Sequence, residues 1–152
     1  MDQKMFCFQC EQTAGCSGCT GKAGVCGKSA DTANLQDQLT SALIGLAKAT
    51  YNNVKTEKTD KLILEGLFTT VTNVSFNDET LKLLIDRVNQ EKREIAPGCV
   101  SCPSPCANGE QSSVDPIWSA DEDTSSLKYL ILFGIRGMAA SAYHALVLGS
   151  TY

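Results

Sequence analysis

Residues 31–52, DTANLQDQLTSALIGLAKATYN, place Leu35, Leu39, Leu43 and Leu46 three or four positions apart, behind an Asp31-Thr32 pair suited to capping a helix. That period puts the four leucines on one face of a helix over about 32–52, and an apolar face of this length needs other helices to cover it. They follow in the chain. Ile63, Leu67 and Val71 recur every four residues over about 59–72, although the β-branched run Thr69-Thr70-Val71-Thr72 weakens this second helix. Asn77 or Asp78 can cap a third over 79–95, in which Leu81, Leu84, Ile85 and Val88 face inward, and Pro97-Gly98 stops it. A fourth begins at Thr124 or Ser125 and runs to about Leu148, ahead of Gly149, with Leu127, Leu130, Ile131, Gly134, Ile135, Met138, Ala142, Ala145 and Leu146 in helical register. Gly134, Gly137, Ala139 and Ala140 would let another helix come close. No stretch alternates like a strand and no internal repeat is present. The expectation is an all-α, antiparallel helical bundle forming one domain over 1–152. Residues 1–31 make an N-terminal Cys-rich loop, 32–96 and 124–148 the helices, and 97–123 a Cys/Pro-rich connection.

The loop ahead of the first helix carries the chemistry. Five of the eight cysteines, Cys7, Cys10, Cys16, Cys19 and Cys26, lie within twenty residues interleaved with Gly15, Gly18, Gly21, Gly24 and Gly27. Thiolates bind soft metals such as zinc or iron–sulfur clusters, and several sulfurs reach one centre only where the backbone turns tightly. Two four-ligand sets are available. Cys7-x2-Cys10-x8-Cys19-x6-Cys26 can wrap a cubane, whereas Cys7-x2-Cys10-x5-Cys16-x2-Cys19 makes two CxxC pairs suited to tetrahedral zinc. Spacing alone leaves zinc and iron–sulfur open.

A chain of 152 residues can bury a core without disulfides, so the cysteines need another explanation than cross-linking. Met1-Asp2-Gln3-Lys4-Met5 is not the start of a signal peptide, and reduced cytoplasmic thiols are better read as ligands. The richest apolar run, 127–148, is interrupted by Lys128, Arg136 and His144, which argues against a membrane span. A net charge of −4 and an isoelectric point near 4.9 argue against nucleic-acid binding. Neither a phosphate loop nor a Gly-x-Gly-x-x-Gly turn is present. Asp121, Glu122 and Asp123 complement the start of the last helix. Arg136 is expected to anchor a neighbouring segment through its donor fork, and His144 to be packed and hydrogen-bonded. Cys99, Cys102 and Cys106 could form a second metal site with Cys16 or remain free thiols.

The residues around these cysteines carry a resemblance. Met5-Phe6-Cys7-Phe8-Gln9-Cys10-Glu11-Gln12-Thr13 with Gly24-Val25-Cys26-Gly27-Lys28 closely resembles the start of the hybrid cluster (prismane, or hydroxylamine reductase) proteins. The resemblance continues through Asn34-Leu35-Gln36-Asp37, Glu65 to Val74 and Leu130 to Ala140, and so covers essentially the whole chain. It implies that Cys7, Cys10, Cys19 and Cys26 hold a [4Fe-4S] cluster, the wider-spaced members holding [2Fe-2S], with Cys16 the alternative third ligand. Members of that family are several hundred residues long, and their catalytic hybrid iron–sulfur–oxygen cluster is ligated from later domains. The chain then reads as the N-terminal electron-transfer portion of a cytoplasmic oxidoreductase that reduces hydroxylamine or nitric oxide. Its partners would be the remaining domains and a redox donor protein, and it would have no catalytic residues of its own. The alternative is a zinc-stabilised helical interaction domain without a redox role.

Overall fold

The computed structural model describes residues 6–7, 9–10, 18–51, 53, 56–71, 74–97 and 120–150. Among them are four α-helices: α1 (Ala30–Tyr51), α2 (Glu57–Thr69), α3 (Asp78–Ile95) and α4 (Glu122–Val147). The only β-type pairing among these residues is two isolated bridges. The all-α expectation holds, and the helix starts move by one to three residues because of caps. Ser29 Oγ accepts the Thr32 N–H at 3.0 Å, so α1 begins before Thr32. Thr56 and Thr59 satisfy each other's backbone in a capping box that starts α2 at Glu57. Asn77 caps α3 through the Thr80 N–H, and Asp121 caps α4 through the Thr124 N–H. At the end of α2 the Thr69 and Thr70 hydroxyls donate back to the Glu65 and Leu67 carbonyls, which is how that β-branched run ends the helix.

Side-chain pairs fix the directions of the helices. Lys58 meets Glu91 and Glu94, and Glu65 meets Arg87, so α2 and α3 are antiparallel. Leu43 fits against Gly66, where a Cβ would come within 2.7 Å of a leucine methyl carbon. Thr32 donates to Asp78 near the start of α1, while Lys92 reaches Gly45 further along, so α1 and α3 run parallel. On α4, Arg136 meets Thr70 while Tyr143 stacks on Phe68 at 4.8 Å between ring centroids, an antiparallel register with α2. Among the described residues the main core is an apolar seam of Leu35, Leu39, Ala42, Leu43 and Leu46 from α1, Leu62 from α2, and Leu81, Leu84 and Val88 from α3, with a smaller cluster around Cys7 and Ala33. The seam contains the leucines expected of α1 and the Leu81, Leu84 and Val88 expected of α3, while Ile85 of α3 and Ile63 and Leu67 of α2 are only partly buried against it.

Helix α4 departs from expectation. It buries Arg136 and Ala139, while Leu127, Leu130, Ile131, Ile135 and Met138, which keep the helical period, are exposed. Its contacts run mainly to α2, whose width covers one side of α4 only. Among the described residues nothing lies within 4 Å of a Cβ built on Gly134 or Gly137, so none of the four helices uses the close approach those glycines permit. By length and composition α4 could cross a membrane, the interrupting charges notwithstanding. Residues 98–119, with Cys99, Cys102, Cys106 and Trp118, lie outside the described residues, as does Cys16.

Two outcomes follow for stability. Leu46→Ala opens a cavity in the seam and should cost about 2–5 kcal/mol in urea unfolding, whereas Leu130→Ala, at a position 70% exposed, should be near neutral. Glu91 is buried, accepts from Thr59 Oγ1 at 2.8 Å and pairs with Lys58 at 2.5 Å, which holds its carboxyl below the ordinary range. A depressed folded-state value contributes stability that is full above the unfolded-state value of about 4.3 and is lost as pH falls through the depressed value. Glu91→Gln should therefore flatten the acid-side decline of the urea midpoint.

Candidate metal centre

The cysteine loop sits at the end of the bundle where α1 and α3 begin and α2 ends. Cys7 and Cys19 form an antiparallel bridge, with Cys7 N–H donating to the Cys19 carbonyl at 3.1 Å and Cys19 N–H to the Cys7 carbonyl at 3.3 Å. The pair packs on Ala30 and Ala33 in the first turn of α1, where small side chains let the loop lie against the helix. Gly18 makes the approach possible. It has φ +44°, and a Cβ there would fall 2.9 Å from the Phe6 ring and 3.1 Å from the Cys7 carbonyl oxygen. A second bridge, Ala23 with Ser29, closes a tight turn in which Gly27 takes φ +85° and Cys26 is presented to solvent. Gln9 Nε2 donates to Asp37 Oδ1 at 2.8 Å, tying the Cys7–Cys10 segment to the second turn of α1.

Beneath this loop the charge is unusual. Lys28 is 2% exposed, and its ammonium donates to Gln36 Oε1 at 2.5 Å and lies 5.9 Å from the centroid of the Phe76 ring. Gln36 is held in turn by donating to the Ser75 carbonyl at 2.9 Å. Arg136, 3% exposed, donates from Nε to Thr70 Oγ1 and from a terminal nitrogen to Thr40 Oγ1, each at 3.0 Å. Burial pushes Arg136 down to about 10, with Asp37 and Cys7 acting in the opposite direction, so it stays charged at neutral pH. Burial also pushes the Cys7 thiol up, opposed by the Gln9 backbone N–H and the Lys28 charge.

The four thiols Cys7, Cys10, Cys19 and Cys26 are all free. The fold brings Cys7 and Cys19 side by side. No group of three His, Cys, Asp or Glu side chains converges among the described residues, so Cys10, half-buried, and Cys26, exposed, do not join the pair in this structure. The donor chemistry nevertheless fits a thiolate-bound soft metal centre. The sulfurs are unbridged, a backbone N–H faces one of them, and buried positive charge stands behind an anionic ligand set. Arg136 anchors α4 to α1 and α2, as expected. His144 is exposed rather than packed, with its Nδ1 2.6 Å from the Ala140 carbonyl oxygen and its ring edge on Phe68. Lys28, Gln36, Thr40 and Thr70 were not singled out from sequence as site residues. The signal was the polar stripe Thr32, Gln36, Thr40, spaced four apart beside the leucine face and all buried. A groove lined by Glu57, Lys58, Lys61, Leu62, Arg87 and Gln90 lies at the opposite end of α2, and several of its charges are already paired.

Comparison with known proteins bears on the same segment. The family model described as Prismane/CO dehydrogenase family matches residues 5–152. The hydroxylamine reductase of Caldanaerobacter subterraneus subsp. tengcongensis is 39% identical over 171 residues, covering 96% of this chain and 30% of that protein. That of Methanocella arvoryzae is 39% identical, with 95% and 31% covered, and that of Desulfovibrio desulfuricans 37% identical, with 98% and 30% covered. The chain thus spans about 30% of the length of these relatives. With a family match over nearly all of its residues and a paired-cysteine loop seated on its first helix, the chain belongs to the Prismane/CO dehydrogenase family.

Proposed function

We propose that this chain is the iron–sulfur electron-transfer portion of a hydroxylamine reductase-type oxidoreductase, with Cys7, Cys10, Cys19 and Cys26 holding a [4Fe-4S] cluster. The observation that carries the reading is the Cys7–Cys19 pair, backbone-bridged on α1 above buried positive charge. A bound cluster would supply one-electron transfer at a potential set by net charge, solvent exposure and hydrogen bonds to sulfur. The chain's own residues do the rest. Cys7 and Cys19 form a fixed edge, because their backbones are paired and packed. Cys10 and Cys26 are the ligands that would close toward that edge as metal binds, since metal binding and local folding are coupled. The Gln9 N–H stabilises negative charge on the Cys7 sulfur.

In this reading the hydroxylamine- or nitric-oxide-reducing centre belongs to the remaining length of a relative-sized protein. The apolar face of α4, with Leu130 70% and Met138 73% exposed, is the surface that the remainder covers. That assignment uses α4 as an intramolecular surface and not as a membrane span. A redox donor protein would approach from the side of the exposed Cys26 turn. Four free thiols suit the reducing cytoplasm, and the acidic charge suits no nucleic-acid partner.

Anaerobic purification or reconstitution with iron and sulfide should give broad visible absorbance that dithionite bleaches, with about four irons and four sulfides per chain, as a cubane requires. Cys19→Ser should abolish the absorbance and Cys16→Ser should retain it. The reverse result would move the third ligand to Cys16. One zinc in a colourless sample would replace this reading with a zinc-stabilised helical interaction domain. Sustained hydroxylamine turnover by the chain alone would show that the active site had been misplaced.

A further inference from the structure

Lysine normally extends its stem so that the ammonium stays in water, and burial of a cation is costly unless it meets a counter-charge. Lys28 does neither among the described residues. It is 2% exposed, and its hydrogen bond goes to the neutral Gln36, whose orientation is fixed by the Ser75 carbonyl. Phe76 covers it from another side. The loop that Lys28 closes, through its carbonyl and the Gly24 N–H at 2.8 Å, is the turn carrying Cys26, and its charge also acts on Cys7. Arg136 adds a second buried cation, held by two hydroxyls, and Cys7 is among the charges that act on it. Among the described residues, two buried cations thus sit at one end of the bundle on neutral hydrogen-bond acceptors, with Asp37 acting on Arg136 and no carboxylate bonded to Lys28.

The structure assigns Lys28, locked by Gln36, as the buried counter-charge of the cluster: a positioning residue that favours the reduced state of the thiolate-bound centre. The inference rests on the cluster reading above. When a low-potential donor such as dithionite passes one electron to the cluster, the centre becomes one unit more negative. The four cysteine sulfurs stay bound, and no proton or covalent bond changes hands. A fixed cation near the site stabilises the product of that step more than the reactant, which raises the midpoint potential. Gln36 holds the ammonium without neutralising it, which a carboxylate in its place would do.

The test is a spectroscopically monitored redox titration of the reconstituted chain, with iron and sulfide measured for each variant. Lys28→Met should retain the cluster and be about tenfold harder to reduce, a shift of about 59 mV to more negative potential for a one-electron couple. Lys28→Arg should restore the wild-type midpoint. Gln36→Glu, which leaves Lys28 in place and adds a carboxylate beside it, should also shift the midpoint negative, and it carries the test if Lys28→Met does not fold. Lys48→Met, which removes an exposed charge in the last turn of α1 at the far end of the bundle, should leave the midpoint unchanged. An unshifted midpoint in a cluster-loaded Lys28→Met or Gln36→Glu chain overturns the assignment, as does an equal shift in Lys48→Met. Absence of iron and sulfide from the wild-type chain instead overturns the cluster reading itself.

Discussion

Burial of α1 on two sides is the constraint from which the rest of the structure follows. Leu35, Leu39, Leu43 and Leu46 need α2 and α3 to cover them, and Gly66 lets α2 come close enough for Leu43 to fill the gap. A helix held this firmly can carry polar work on its adjoining face. Thr32, Gln36 and Thr40 occupy that face and reach Asp78, Lys28 with Ser75, and Arg136 respectively. One helix therefore sets both the apolar seam and the position of the cysteine loop. Ala30 and Ala33 at its start are small because the Cys7–Cys19 pair lies directly on them.

The helices were legible because their leucines follow the 3.6-residue period, and the seam contains the α1 leucines and most of the α3 residues that the period selects, Ile85 packing at its edge. Helix starts were less legible because a cap is one hydrogen bond rather than a pattern. Ser29 and the Thr56–Thr59 pair took the ends that Asp31-Thr32 and Thr59 were expected to mark. On α4 the period gave the helix but not the face it buries. Periodicity identifies an apolar face without saying what covers it, and Arg136, a single charged residue on the opposite side, decided which face turned toward α1 and α2. The cysteines suggested a metal site by composition, whereas the pairing of Cys7 with Cys19 on α1 depends on long-range packing that spacing does not encode.

Arg136 is informative because its position is expensive. A buried guanidinium needs acceptors in the right directions, and here two threonine hydroxyls, each already donating to its own helix backbone, supply lone pairs to it. The arrangement fixes α4 at one point along its length with directional bonds, Phe133 lying 5.8 Å from the guanidinium. Apolar packing alone would let α4 rotate to bury its richer face. The polar clamp instead holds the leucines and Met138 outward, available to a covering surface.

Charge explains why this clamp sits where it does. The chain is acidic overall, yet the cations it buries at the cysteine end, Lys28 and Arg136, face few carboxylates: Asp37 acts on Arg136, and Gln36 is neutral. Elsewhere between α2 and α3 the pattern is the ordinary one: Lys58 is shared between Glu91 and Glu94, and Arg87 takes Glu65 through two hydrogen bonds. A fold that neutralises these cations and leaves those at the cysteine end under-compensated has a place for an external negative charge. Thiols, which lose their protons and become anionic thiolates when they bind metal, are groups suited to supply it.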